Sequence, residues 1–170
     1  MKAVPVTCLY AGKPEMKQKV EAAIRVHQNN DQAVAFGVAS ACILERVLLG
    51  NGLPDDEFIE NCAGITQEVK DAWKKASSFN DLESLLLEIS HETMKGKEDS
   101  PFYDLAGRSC ALPGSFIGPA FLIQQASTDE GEFAKALRSN ILGSGDTCSR
   151  GVFIGAVLAA AAGKGPDDWL

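Results

Sequence analysis

The segment from Gly151 to Ala162, GVFIGAVLAAAA, contains no polar side chain and is rich in glycine and alanine. A helix that is apolar on every side is stable only where neighbouring elements cover it. Gly151 and Gly155, four residues apart, share one face and leave room for another backbone to approach. The segment therefore predicts a central helix about which the rest of the chain packs.

The other elements read as helices too. From Pro14, Met16, Val20, Ala23, Ile24 and His27 recur at steps of three and four with charged residues between them, an amphipathic pattern with Pro14 in the first turn. Asn29-Asn30-Asp31 caps a second helix over 32–49, which has little polar surface and ends at Gly50-Asn51-Gly52. Pro54-Asp55-Asp56 starts a third, expected to run through Cys62, Ile65 and Val69 to Trp73, and Asp81-Leu82-Glu83 opens a fourth. Residues 95–114 have no clear period and read as a long ordered loop of the kind that often carries function. Helical signals resume over 115–125 and, capped by Ser127-Thr128-Asp129, over 130–140. Only Val4 to Tyr10 alternates like a strand, weakly, and Pro5 counts against it. The expected fold is all-α: one domain over residues 1–170, a compact multi-helix orthogonal bundle around the Gly/Ala-rich apolar helix.

Charge narrows the range of partners. Sixteen Lys and Arg against 23 Asp and Glu leave a net charge of -7 with no basic stripe, which argues against nucleic acid and anionic membrane surfaces as partners. No apolar run reaches the ~18 residues of a membrane span, and the N-terminus lacks the apolar core of a signal peptide. The five cysteines are scattered, odd in number and without zinc-site spacing, so the expected setting is reducing and cytoplasmic.

Chemistry concentrates at the start of the last helix, in Ser144-Gly145-Asp146-Thr147-Cys148-Ser149. Free N–H groups and the positive end of the helix dipole favour anions there. Three readings stand side by side. Asp146, Thr147 and Ser149 can offer hard oxygen ligands to a magnesium-like cation; the helix end can hold a substrate phosphate; or Asp146 is an N-cap and nothing more.

These residues resemble the Gly-Gly-Asp-Thr-Asp-Thr metal motif of the ADP-ribosylglycohydrolase family. The Gly-Ala-rich helix and the following Gly165-Pro166-Asp167-Asp168-Trp169 resemble that motif's usual continuation. Ala111-Leu112-Pro113-Gly114-Ser115-Phe116, the 133–138 helix, Val26-His27-Gln28-Asn29-Asn30-Asp31 and the opening Met1-Lys2-Ala3-Val4-Pro5 resemble other family segments in the same order. Cys148-Ser149-Arg150 is most similar to the branch that contains the J-type lens crystallins of jellyfish. The resemblance covers nearly all 170 residues but only the second part of the family's domain. It implies an all-helical fold that uses Mg2+ to bind ADP-ribose and to assist cleavage of its glycosidic bond to a protein or other acceptor.

Carried over by position, the resemblance assigns Asp146 and Ser149 to metal binding and Gly145, Thr147 and Gln28 to substrate binding. The chain departs from the family at three points. Cys148 stands where the motif has its second acid, and a neutral thiol is a poor partner for a hard cation. Gln28 stands where the family has a histidine, with His27 offset by one residue, or ~100° on a helix, and expected in the core or in solvent. The acidic motifs of the family's first part have no counterpart; Asp55 and Asp56 read as first-turn acids favoured by the helix dipole.

Other chemistry-bearing residues have structural readings: Arg108 as a solvated loop residue, Trp73 and Trp169 as core or edge packing, Cys148 as a small buried residue and not a nucleophile. Two functions follow from the resemblance. One is a magnesium-assisted hydrolase releasing ADP-ribose, active when the missing half is supplied and inactive as this chain alone. The other is a non-catalytic protein, structural and crystallin-like or binding ADP-ribose without cleaving it. Either way, a truncated domain is expected to self-associate or to meet a subunit carrying the missing half.

Overall fold

Residues 3–79 and 106–163 are described by the structure, a computed structural model, and among them the backbone forms eight helices and no strand. The expected fourth helix from Asp81, the loop residues 95–105 and Trp169 lie outside the described residues. In chain order the helices are α1 (Ala3–Tyr10), α2 (Met16–His27), α3 (Asp31–Leu48), α4 (Asp56–Asn61), α5 (Gln67–Ser77), α6 (Gly114–Gln125), α7 (Glu130–Leu142) and α8 (Thr147–Ala162).

Local chemistry sets the element ends. The Asn30 side chain accepts the Ala33 N–H at 3.1 Å and starts α3. That helix stops in a Schellman arrangement: Gly50, in the left-handed region, donates to Val47 O, and Asn51 donates to Arg46 O, both at 3.0 Å. Asp55 caps α4 by accepting the Phe58 N–H at 2.7 Å, and Asp56 accepts the indole N–H of buried Trp73 at 2.8 Å. The two acids thus serve one helix end and one core tryptophan.

Several expectations are corrected. The single helix expected from Pro54 to Trp73 is two, α4 and α5, because the chain turns at Gly64 in the left-handed region and Thr66 begins a new helix. The weakly alternating N-terminal segment is helix α1; Pro5 falls in its first turn, where a missing N–H costs nothing. Pro14 precedes α2 by two residues and is not part of its first turn. Asp129 occupies the N-cap position of α7, but its carboxylate is bound by the Ser127 hydroxyl at 2.9 Å and makes no cap hydrogen bond.

The core forms around α3 and α8. Helix α3 buries Phe36, Val38, Ala39, Ala41, Cys42, Ile43, Leu44 and Val47 and packs against α1, α2, α5 and α8. Helix α8 packs against α1, α3, α6 and α7 and is central as expected, burying Phe153, Ile154, Val157 and Leu158. Its cover is incomplete, since Val152 remains 47% exposed. Gly151 and Gly155 face α7, but side chains fill the space: a Cβ at Gly151 would meet Asn140 Nδ2 at 3.4 Å, and one at Gly155 would meet Phe133 Cε2 at 3.8 Å. On α5, Val69, Ala72, Trp73 and Ala76 are buried at the i, i+3, i+4, i+7 spacing, the amphipathic face that the sequence pattern places in the core.

Candidate functional site

A cleft of about 730 Å3 opens where three helix N-termini meet. Asn30, Gln32 and Ala33 belong to the start of α3, Ser115 and Phe116 to the start of α6, and Asp146 and Ser149 to the start of α8. The first N–H groups of a helix have no intrahelical acceptor, so each start carries the positive end of a dipole. Several of these groups are already engaged: the Ser115 N–H with Ala111 O at 3.0 Å, the Phe116 N–H with Pro113 O at 2.9 Å and the Ala33 N–H with Asn30 Oδ1 at 3.1 Å. The apolar floor holds Phe36, Phe116 and Phe153, with ring centroids 5.2 Å apart for the edge-on first pair and 6.3 Å for the stacked second. Among the described residues Asp146 is the one carboxylate that lines the cleft, and no lysine or arginine lines it.

Asp146 is held from both sides. Its Oδ1 accepts the Ser149 N–H at 3.3 Å, and its own N–H donates to Arg108 O at 2.9 Å. Ser144 and Gly145 before it both adopt positive φ, 53° and 70°. At position 145 glycine is required, because a Cβ there would lie 2.0 Å from Arg108 O. Gly145 therefore lets the 106–113 segment pass against the start of α8.

Of the residues assigned from the sequence, the cleft brings together Asp146, Ser149 and Gln28. Gly145, Thr147 and Cys148 do not line it. Thr147 is half-buried with its carbonyl accepting Asn140 Nδ2 at 2.8 Å, and Cys148 is exposed, not the buried residue expected from its neighbours. His27 lines the cleft beside Gln28. The helical offset between them does not apply, because α2 ends at His27 and Gln28, with φ -141° and ψ 89°, has already left the helix.

Three residues of this region were not legible as functional. Arg150 is 1% exposed inside the first turn of α8. Its Nε donates to Asn140 Oδ1 at 2.9 Å, Nη1 to Arg108 O at 3.1 Å, and Nη2 to Ser144 O. Arg108, expected in solvent, donates from Nη1 to Gly143 O and Ser144 Oγ, each at 2.6 Å. Asn140 is as buried as Arg150. One signal was present: a cation in a helix's first turn opposes the dipole, so Arg150 had to be recruited by acceptors elsewhere.

The model of one protein family, ADP-ribosylglycohydrolase, matches residues 1–170. The chain belongs to the ADP-ribosylglycohydrolase family. Crystallin J1A of Tripedalia cystophora is 25% identical over 179 aligned positions, which cover 98% of this chain and 46% of that relative. The chain thus spans about half the length of the curated relative it matches. No solved structure matches it.

Family membership implies a metal ion in general terms, and for the magnesium expected from the sequence the fit is incomplete. Magnesium takes about six oxygen ligands in near-octahedral geometry. Among the described residues no group of three or more His, Cys, Asp or Glu side chains is placed to hold a metal, and in the cleft Asp146 and Ser149 supply one carboxylate and one hydroxyl. Asp146 and Ser149 would therefore be two of about six ligands, with water and substrate phosphate oxygens as the others. Nor is any described helix long and apolar enough to cross a membrane.

Proposed function

We propose that the cleft binds the ADP-ribosyl group of ADP-ribose or of an ADP-ribosylated acceptor. The observation that carries this reading is the convergence of Asp146, Ser149 and Gln28, three family-matched positions, on one cleft bounded by the starts of α3, α6 and α8. Helix N-termini attract phosphate oxygens through the positive ends of their dipoles. Among the described residues no lysine or arginine lines the cleft, and these dipoles supply positive potential for a diphosphate. The Phe36, Phe116 and Phe153 floor suits the flat apolar face of a base or sugar, and the amide of Gln28 and the hydroxyl of Ser149 suit its hydroxyl groups.

Cleavage of the glycosidic bond needs acidic residues beyond Asp146. In this reading they come from a further segment or a second subunit, another copy of this chain or a partner carrying the missing half, and the 170 residues alone bind without cleaving. A second reading, a crystallin-like structural protein, draws support from Cys148, exposed where the motif has an acid, and from the likeness to Crystallin J1A. The five thiols are free, as they would be in a reducing, cytoplasmic setting.

Calorimetric titration with ADP-ribose, with and without magnesium, tests the proposal, with Asp146→Ala as the control. Binding that needs both magnesium and Asp146 is expected. Absence of any binding would leave Asp146 a helix cap and favour the structural reading.

A further inference from the structure

A buried arginine is costly unless its donors are all engaged, and at the positive end of a helix dipole it is costlier still. An apolar residue of similar length would fill the same volume without that cost. Arg150 nevertheless sits 1% exposed in the first turn of α8. What distinguishes it from an apolar filler is the set of acceptors it joins, which come from three separate stretches of chain: Asn140 Oδ1 near the end of α7, Arg108 O in the segment leading to α6, and Ser144 O in the turn before α8.

Two of those acceptors are backbone carbonyls, one near the base of each of two sides of the cleft, opposite the side formed by α2 and α3. Two residues after Arg108, Cys110 and then Ala111, Leu112 and Ser115 form one wall; two residues after Ser144, Asp146 and then Ser149 form the other. Arg108 O is shared, accepting from the Arg150 guanidinium at 3.1 Å and from the Asp146 N–H at 2.9 Å. The Arg108 side chain returns the contact to Gly143 O and Ser144 Oγ. Asn140, which accepts from Arg150, also holds Thr147 O at 2.8 Å and so ties the same bolt to the first residue of α8.

We infer that Arg150 is a positioning residue: its planar guanidinium fastens the 108–115 wall to the 144–146 turn, and this sets where the Asp146 carboxylate stands in the cleft. The inference rests on the reading of the cleft as the ADP-ribosyl site. Lysine is a poor substitute, because an ammonium cannot present a fixed fork to three acceptors at once.

The test uses the full chain with Arg150→Met and Arg150→Lys, followed by amide hydrogen exchange resolved by residue and by ADP-ribose titration. In Arg150→Met, protection of the Asp146 amide is expected to fall roughly tenfold or more while Val157 and Leu158, inside α8, change by less than about threefold. Arg150→Lys is expected to lose protection at Asp146 in the same direction and to a smaller extent, and it reports the same comparison should Arg150→Met fail to fold. Where wild type binds ADP-ribose, affinity is expected to weaken roughly tenfold in Arg150→Met. Unchanged protection at Asp146, or a loss that Val157 and Leu158 share equally, would overturn the inference. If wild type does not bind ADP-ribose, the functional reading fails and the exchange comparison alone decides the role of Arg150.

Discussion

The Arg108 carbonyl accepts the Asp146 amide at 2.9 Å, and the only thing that permits this approach is the missing side chain of Gly145. A Cβ at Gly145 would lie 2.0 Å from that oxygen and 2.8 Å from the carbonyl carbon, and the residue's φ of 70° is one that other residues reach only at a cost. Gly145→Ala is therefore expected to lower stability by about 2 kcal/mol or more, from left-handed strain plus displacement of the 106–113 segment. Urea denaturation measures this; a loss below about 0.5 kcal/mol would mean the two segments separate freely.

Asp146 is a helix cap and, in the proposed function, also a ligand, and its isosteric amide tells the two apart. As an N-cap with a long 3.3 Å bond to the Ser149 N–H, it is worth about 1 kcal/mol or less against alanine, while asparagine caps as well as aspartate. Asp146→Asn should keep the stability of wild type and lose magnesium-dependent ADP-ribose binding. Retained magnesium dependence in Asp146→Asn would assign the carboxylate to capping alone.

Cys148 is exposed at the second position of α8, two residues after Asp146. Cys148→Asp restores the acid of the family motif and places a negative charge at the positive end of the helix, where it adds about 0.3–1 kcal/mol. Because position 148 does not line the cleft, magnesium affinity is expected to stay at that of wild type. Calorimetric titration of magnesium into both proteins checks this, and a higher affinity in Cys148→Asp would show that position 148 does reach a cation.

Burial pushes the Cys42 thiol from an ordinary 9.0 up to about 12, with the neighbouring Cys62 adding to the shift. Above pH 9.0 the unfolded chain releases this proton while the native state keeps it to about 12, so the unfolded state binds fewer protons and stability falls as pH rises through that window. The loss from this group is at most about 1.4 kcal/mol per pH unit. Urea midpoints between pH 8 and 10 should fall more steeply for wild type than for Cys42→Ala; parallel slopes would mean that Cys42 ionises as readily in the native state.

Most of the helices were legible because each carries its own period and caps. Val20 and Ile24 on α2, or Val69, Trp73 and Ala76 on α5, repeat at helical spacing, and Asn30 and Gly50 mark the ends of α3. The break between α4 and α5 was missed because Cys62 and Ile65 continue the apolar spacing across a turn that Gly64 makes. Helix α1 was obscured by a weak alternation from Val4 to Tyr10, too short for the two periods to separate.

Sequence alone determined that the chain is all-helical, that a Gly/Ala-rich helix lies at its centre, and that the residues to watch stand at that helix's start, since these depend on local spacing and on a motif contiguous in the chain. Tertiary structure decided which of those residues share a cleft. Asp146 and Ser149 meet Gln28 across more than a hundred positions, while Thr147 and Cys148, their immediate neighbours, turn elsewhere as the first turn of α8 rotates by ~100° per residue. It also decided what Arg108 and Arg150 do. An arginine's sequence neighbours do not reveal its acceptors when these are backbone carbonyls, which every residue possesses and which only the packed chain can bring within reach.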